Sequence, residues 1–244
     1  MIIKFLKNRI VLFCSIVLFV SCGKPNEIRL FNGESLEGWE GSNSIFRVEN
    51  EAIIGGNLEK PIDKSYYLCT KKDYGNFELK LSAKFITNDL KINGGISFRA
   101  KRVPNSNEVM GYQADIGYIH ASAIALFSDF TPKDTIGLYL LWGSLVDESR
   151  PDTSRYPKPD IFPVIIYEVA EKELIEEVVD PNGWNEIIIE ANCPEIEIKI
   201  NGVSTARYTE KGDVPTSGCI CLQTHAGEPY EIWYKNIVLK KLEY

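Results

Sequence analysis

The amino-acid sequence predicts an all-β protein, a sandwich of antiparallel strands, on three observations. Many short segments rich in β-branched and aromatic residues are separated by turn signals, which is typical of a β-sandwich. Residues 77–85 alternate strictly between apolar and polar side chains, as expected for a strand with one buried and one wet face. No long stretch has a convincing helical period.

The strands are predicted in chain order from the same alternation. They are 77–85, 94–100, 111–117, 184–191, 196–200, 203–208, 219–224 and 232–242. The pair Asn201-Gly202 is the strongest short hairpin signal, so it joins the two strands that flank it.

Two segments depart from this pattern. Residues 171–177 have a helix-forming composition, but their neighbours are β-branched, so we expect a hairpin that turns near residues 170–173. Between residues 119 and 162 the alternation breaks down around four prolines. A long irregular excursion in a compact sandwich is often functional.

Length and charge limit the classes of function. The chain has 244 residues, of which 44% are hydrophobic, enough for one large domain with a full core. Its formal charge is -7 and it has no basic patch, which excludes nucleic acid as a partner. Because His120 and His225 are the only histidines, a metal site built from several histidines cannot form within one chain.

The N-terminus has the pattern of a targeting signal. Residues 1–9 are basic, and the apolar run at 10–20 is shorter than the about 20 residues that a bilayer-spanning helix needs. A small residue before Cys22 resembles a bacterial lipoprotein cleavage box.

We therefore predict a signal peptide at 1–21, a tether at 22–27 and a single β-sandwich domain at 28–244. Lipidated Cys22 would anchor the protein in the bacterial cell envelope, on the periplasmic side or at the outer membrane. The alternative is an ordinary secretory signal with an accidental cysteine.

Four cysteines remain after the signal. Cys219 and Cys221 are two residues apart on a predicted strand, so they share a face and cannot easily bond each other. The compartment permits disulfides, but we interpret Cys69, Cys193, Cys219 and Cys221 as small buried side chains.

Strand parity brings polar side chains together on one sheet surface. Arg99, Gln113, Asp115, Gln223 and His225 all fall on the side opposite the apolar residues of their segments. Arg99 is expected to pair with Asp115 and keep it ionised. Alternatively, Arg99 and Asp115 form only a cross-strand ion pair on a solvated face without a function. His225 is alternatively a surface histidine.

A further aromatic and a further carboxylate follow in the irregular region. Trp142 and Glu148 are expected at a rim of the same surface. Flat apolar faces edged with amides and carboxylates are typical of sugar-binding sites.

An ordered set of motifs runs along nearly the whole mature chain. It comprises LFNGESLEGW at 30–39, TKKDYGNFEL at 70–79, NGGISFR at 93–99, GYQADI at 111–116, GSLVDESR at 143–150, GWN at 183–185, NG at 201–202, LQTH at 222–225 and KNI at 235–237. In this order the motifs resemble the 3-keto-disaccharide hydrolase domain family, which is abundant in bacterial sugar-degrading lipoproteins.

The resemblance implies a concanavalin A-like jelly roll with a ligand groove on one concave sheet, and a 3-keto sugar as substrate. The carbonyl at C3 acidifies the hydrogen at C2, so a base can form an enolate and the group at C1 can leave by elimination. Water addition then completes a net hydrolysis. This route needs a base, an enolate stabiliser and an acid.

The residues are assigned to these roles as candidates. Asp115, His225 or Glu148 would be base and acid, and Arg99 would stabilise the enolate. Gln113, Gln223 and Trp142 would bind the sugar. A divalent cation on Asp115, Glu148 and His225 could assist. The alternative function is a non-catalytic carbohydrate-binding lipoprotein.

Overall fold

The computed structural model describes residues 26–87, 92–120, 138–148 and 164–243. The predicted signal peptide and Cys22 lie outside these residues. In chain order the elements are β1 (Glu27–Arg29), β2 (Trp39–Glu40), β3 (Phe46–Glu49), β4 (Ala52–Asn57), β5 (Tyr66–Thr70), β6 (Phe77–Ile86), β7 (Asn93–Arg102), β8 (Val109–His120), β9 (Leu138–Leu140), β10 (Ser144–Glu148), β11 (Val164–Glu168), α1 (Lys172–Val178), β12 (Asn185–Asn192), β13 (Glu195–Ile200), β14 (Val203–Thr209), β15 (Cys219–Thr224) and β16 (Tyr230–Lys241).

The strands form two antiparallel sheets, which we call sheet A and sheet B. Sheet A has the order β14-β13-β12-β6-β16-β4-β3, with β1 added beside β16. Sheet B has the order β11-β10-β8-β7-β15-β5-β2, with β9 added beside β8. The predicted all-β antiparallel fold is confirmed, and the eight strands predicted from alternation are all present.

The core lies between the sheets because each strand turns its apolar face inward. In β6 the buried and half-exposed positions alternate along the whole strand. Phe77 of sheet A meets Phe98 of sheet B edge to face, with ring centroids 6.3 Å apart. Leu79, Leu81, Ile187 and Ile189 continue this core from sheet A.

The hairpin expected near residues 170–173 is wrong. Strand β11 is present, but α1 follows it instead of a returning strand. The helix-forming residues at 172–177 decide the local structure, and the helix packs against the core through the fully buried Ile175. Within the described residues, no helix has the length and apolar character needed to cross a bilayer.

The interpretation of all four cysteines as unlinked side chains is also wrong. Cys69 of β5 and Cys221 of β15 are directly opposed neighbours and form a disulfide that closes a separation of 152 residues. Such a long closure typically stabilises a fold by about 2–4 kcal/mol. Cys219 and Cys193 are free thiols, the first buried and the second exposed.

Candidate functional site

The outer face of sheet B, the face turned away from the core, carries a line of polar residues. The strand register sets Tyr67, Gln223, Gly95, Asp115 and Ser144 side by side across five neighbouring strands. The neighbouring row contains Ser97 of β7 opposite Gln113 of β8. Period-two alternation, which the sequence shows, therefore places Gln113, Asp115 and Gln223 on one surface as predicted.

Four of these side chains form a continuous hydrogen-bond chain. Ser97 Oγ donates to Gln113 Oε1 at 2.7 Å, and Gln113 Nε2 donates to Gln223 Oε1 at 3.1 Å. Gln223 Nε2 then donates to the Tyr67 hydroxyl at 2.7 Å. All four residues are buried, so each amide is held in one orientation by its partners. We call these four residues, together with Asp115, the outer-face cluster.

Asp115 is the ionisable member of the outer-face cluster. Burial penalises its charged form and raises the pKa of its carboxyl to about 7. Hydrogen bonds from the Asn93 side chain, the Ile116 backbone N–H and the Gln113 side chain oppose that shift. Because the carboxyl changes its charge near neutral pH, Asp115 can both accept and return a proton under physiological conditions.

Two further ionisable residues, Glu108 and His225, lie at the Tyr67 end of the hydrogen-bond chain. Glu108, in the loop between β7 and β8, receives a hydrogen bond from Tyr67 and is attracted by His225. Burial outweighs both contacts and raises the pKa of Glu108. His225 itself is exposed at the end of β15, with its Nδ1 2.8 Å from the Ala226 carbonyl oxygen.

Gly95 creates the space in which the two glutamines meet. A Cβ at this position would lie only 2.4 Å from Cδ and 2.5 Å from Nε2 of Gln113. The Gln113 side chain therefore crosses directly over the Gly95 backbone on its way to Gln223.

Replacing Gly95 with Ala is expected to push Gln113 off Gln223 and to lower the free energy of unfolding by about 1–2 kcal/mol. Thermal unfolding measures this loss, and the exposed Gly212→Ala is the matched control, since its added methyl crowds only the movable end of the Glu210 side chain and makes an ordinary contact with Val214. Wild-type stability in Gly95→Ala would show that the glutamines do not need this space.

The prediction that Arg99 pairs with Asp115 on the sheet surface is wrong. A register shift follows Phe98 in the pairing of β7 with β8, and Arg99 adopts a positive φ of 48°. This bulge reverses the direction of the side chain. The buried guanidinium donates to Asn76 Oδ1 at 3.0 Å and to the Ala191 carbonyl of sheet A at 3.1 Å, so Arg99 links the two sheets.

Trp142 does not lie at a rim either. Its side chain is 3% exposed and packs edge to face against Phe85 of sheet A, with ring centroids 5.8 Å apart. Trp142 therefore belongs to the core. The backbone of Glu148 pairs with Gly111 at the end of β10, and the Glu148 side chain lies outside the described part of the structure.

The surroundings of Asp115 do not fit a cation. Its carboxylate is contacted by N–H donors, from two side chains and the backbone, and these place partial positive charge where a metal would have to bind. The candidate cation on Asp115, Glu148 and His225 stays a prediction of the sequence.

Sequence reasoning missed Glu108, Tyr67 and Asn93. Tyr67 and Cys69 are two residues apart in β5 and therefore share one face of the strand, so strand parity could have placed Tyr67 on the outer face. Glu108 and Asn93 lie where loop and strand meet, and periodicity carries no signal there.

Two antiparallel sheets packed face to face, with a polar, partly ionisable cluster on the outer face of one sheet, place the protein in the class of concanavalin A-like jelly rolls. The sequence agrees, since the profile of the 3-keto-alpha-glucoside-1,2-lyase-like domain matches residues 26–240. The chain belongs to this family. Among proteins of curated function, none matches the chain in sequence.

Solved structures share the fold at low sequence identity. A proposed glycosyl hydrolase from Parabacteroides distasonis is 20% identical, with a TM-score of 0.57 over 89% of this chain and 94% of that one. The carbohydrate-binding module CBM66 from Bacillus subtilis is 11% identical, with a TM-score of 0.55 over 84% and 96%. A Bacillus subtilis protein with a galectin-like fold is 10% identical, with a TM-score of 0.54 over 88% and 94%.

Proposed function

We propose that this protein cleaves 3-keto-glycosides by elimination across C1 and C2, followed by hydration, with Asp115 as the base. The observation that carries the proposal is a buried carboxyl with a pKa of about 7 in the outer-face cluster of a chain that belongs to this family. A base of this kind is matched to neutral pH and to the modest acidity of a hydrogen beside a ketone.

The proposed reaction begins with proton transfer. Ionised Asp115 takes the hydrogen from C2, and the electron pair moves onto the C3 oxygen as an enolate. The enolate then collapses: the C3 carbonyl re-forms, a double bond forms between C1 and C2, and the C1–O bond breaks. Water adds to the product, with hydroxyl at C1 and hydrogen at C2, which gives a net hydrolysis.

The remaining roles fall to groups near the ends of the outer-face cluster. The Asn93 amide donates to Asp115 and carries a second N–H, which makes it a candidate donor to the enolate oxygen in place of Arg99. His225 is exposed and can deliver a proton to the departing glycosidic oxygen. Gln113 donates to Asp115 and to Gln223, so the proposed task of the two glutamines is to order the site.

A direct comparison of substrates tests the function. The protein is incubated with a 3-keto-disaccharide and with its unoxidised parent, and release of the aglycone is followed. Release from the keto sugar alone supports the proposal. Binding of either sugar without release would favour the alternative, a non-catalytic carbohydrate-binding protein.

The raised pKa of Asp115 sets the expected pH dependence. Because the base acts only when ionised, kcat/KM should rise about tenfold per pH unit on the acidic side, and this rise should end near pH 7. The profile is measured from pH 4 to 9. If kcat/KM instead stopped rising near pH 4, where an ordinary aspartate titrates, the result would contradict the role of the buried carboxyl.

We also propose that Cys22 carries a lipid that anchors the protein in the cell envelope. The support is the basic start, the short apolar run and the small residue before the cysteine. Cys22→Ser should move the protein from the membrane fraction to the soluble fraction. Unchanged membrane association would contradict the anchor.

A further inference from the structure

In the hydrogen-bond chain of the outer-face cluster, Gln113 donates to Gln223 and Gln223 donates to Tyr67. This donor-to-acceptor direction is fixed at the Tyr67 end. An amide offers donors on one side and an acceptor on the other, so neighbouring amides in a chain must all point the same way. Here Gln223 donates to Tyr67 and accepts from Gln113, and Gln113 in turn donates to Asp115. Turning one amide therefore requires turning both.

Tyr67 has a single hydroxyl hydrogen. The oxygen of Tyr67 already accepts from Gln223, and the hydrogen is donated to Glu108. An ionised carboxylate can only accept, so Glu108 prevents Tyr67 from turning its hydrogen toward Gln223. The Glu108 carboxylate thereby determines which end of Gln223 faces Tyr67.

Ser97 cannot fix the direction from its own position. Its hydroxyl donates to Gln113 Oε1, but a hydroxyl accepts as readily as it donates, so it would tolerate a reversed amide. In the reversed chain Gln113 would present its oxygen to Asp115. Two acceptors in contact in a buried site would disfavour the ionised carboxylate.

We propose that Glu108 is a positioning residue: through Tyr67 it orients Gln223 and Gln113, and so keeps the Gln113 N–H group on Asp115, a residue that Glu108 does not touch. The inference rests on the proposed function insofar as Asp115 is the base. It adds a regulatory input, because whatever neutralises Glu108 releases the chain and makes Asp115 a carboxyl that ionises less readily.

The groups around Glu108 and around Asp115 are consistent with a coupling between these two residues through the amide chain. His225 faces Glu108 and favours its ionised form. Asp115 accepts hydrogen bonds from Gln113, Asn93 and the Ile116 backbone. From sheet A its charge acts on the phenol of Tyr234, which donates to the Gln223 carbonyl oxygen. Among these partners, Gln113 connects directly to the amide chain.

The test is whether the pKa of Asp115 rises or falls in the Glu108→Gln variant. Through space, removing a negative charge would make Asp115 ionise more readily and lower its pKa. Through the amide chain, the new side-chain N–H₂ can donate to Tyr67 and reverse the chain, so the pKa of Asp115 should rise by about 0.5–1 unit. The readout is the titration of the Asp115 carboxyl carbon by NMR in the ligand-free protein.

Three further variants sharpen the test. Glu108→Asp keeps the carboxylate and should restore the wild-type titration. Tyr67→Phe removes the link without changing any charge and should also raise the pKa of Asp115. The exposed Glu228→Gln, close to His225 in the chain, is the charge control and should not raise it.

A fall or no change in the pKa of Asp115 in both Glu108→Gln and Tyr67→Phe would overturn the proposal. Because the titration needs no substrate, it succeeds or fails independently of the proposed reaction. If the pKa moves as expected but no 3-keto-glycoside is cleaved, the positioning role stands and the proposed function fails.

Discussion

Replacing Asp115 with Asn is expected to lower kcat on a 3-keto-glycoside by about 10²- to 10⁴-fold, the usual cost of losing a general base. The amide is nearly the same size as the carboxyl but cannot take the proton from C2. The buried site favours a neutral side chain, as the raised pKa of Asp115 shows, so the fold should survive. Steady-state kinetics with thermal unfolding as a check measures both effects.

Asp213→Asn makes the same chemical change at an exposed position and should leave kcat unaltered. Normal turnover by Asp115→Asn would remove the proposed base. If Glu148→Gln were inactive at the same time, the base would belong to β10, the other candidate that the sequence offers.

Replacing Arg99 with Met is expected to lower the free energy of unfolding by about 3 kcal/mol, because buried acceptors lose a charged donor. Met fills a similar volume but cannot donate to Asn76 Oδ1 or to the Ala191 carbonyl. For a chain of this length the loss corresponds to roughly 6–12 °C in Tm, which thermal unfolding measures.

Arg207→Met is the matched control, since Arg207 is an exposed arginine paired with Glu197 on the edge of sheet A. An exposed pair contributes at most about 1 kcal/mol, so the control should unfold close to the wild type. If Arg99→Met kept wild-type stability and lost activity instead, the catalytic role that the sequence suggested for Arg99 would be restored.

The outer-face cluster shows how far alternation alone can predict a site. Gln113, Asp115 and Gln223 were placed correctly, because their strands keep a regular period of two up to those positions. The prediction for Arg99 is wrong because Arg99 lies in a bulge with a positive φ, which turns its side chain to the other face of the strand. The local sequence contains no signal for this bulge.

The other differences have non-local causes. The disulfide depends on β5 and β15 being neighbours although 152 residues separate the two cysteines, and alternation within one strand does not identify its partner. Trp142 precedes a turn at Gly143, where a φ of 73° lets the chain change direction, and it packs against Phe85 of the opposite sheet. Sheet-to-sheet contacts of this kind follow from topology, which the strand pattern leaves open.

The balance of polar contacts explains why Asp115 and not Arg99 is the chemically adaptable group. Arg99 is held by carbonyl and amide oxygens between the sheets, which suits a permanent cation. Asp115 is buried with amide donors that only partly offset the loss of water, which leaves its two protonation states close in free energy at neutral pH.

The most direct test of the central claim is the fate of the C2 hydrogen when a 3-keto-glycoside is turned over in D₂O. Elimination by a base removes this hydrogen, so early in the reaction NMR should show the C1–C2 unsaturated keto sugar or a released 3-keto sugar with deuterium at C2. The unreacted sugar incubated without protein corrects for spontaneous exchange. Release of aglycone with the C2 hydrogen fully retained and with no unsaturated keto sugar at any stage would contradict Asp115 as the base of an elimination.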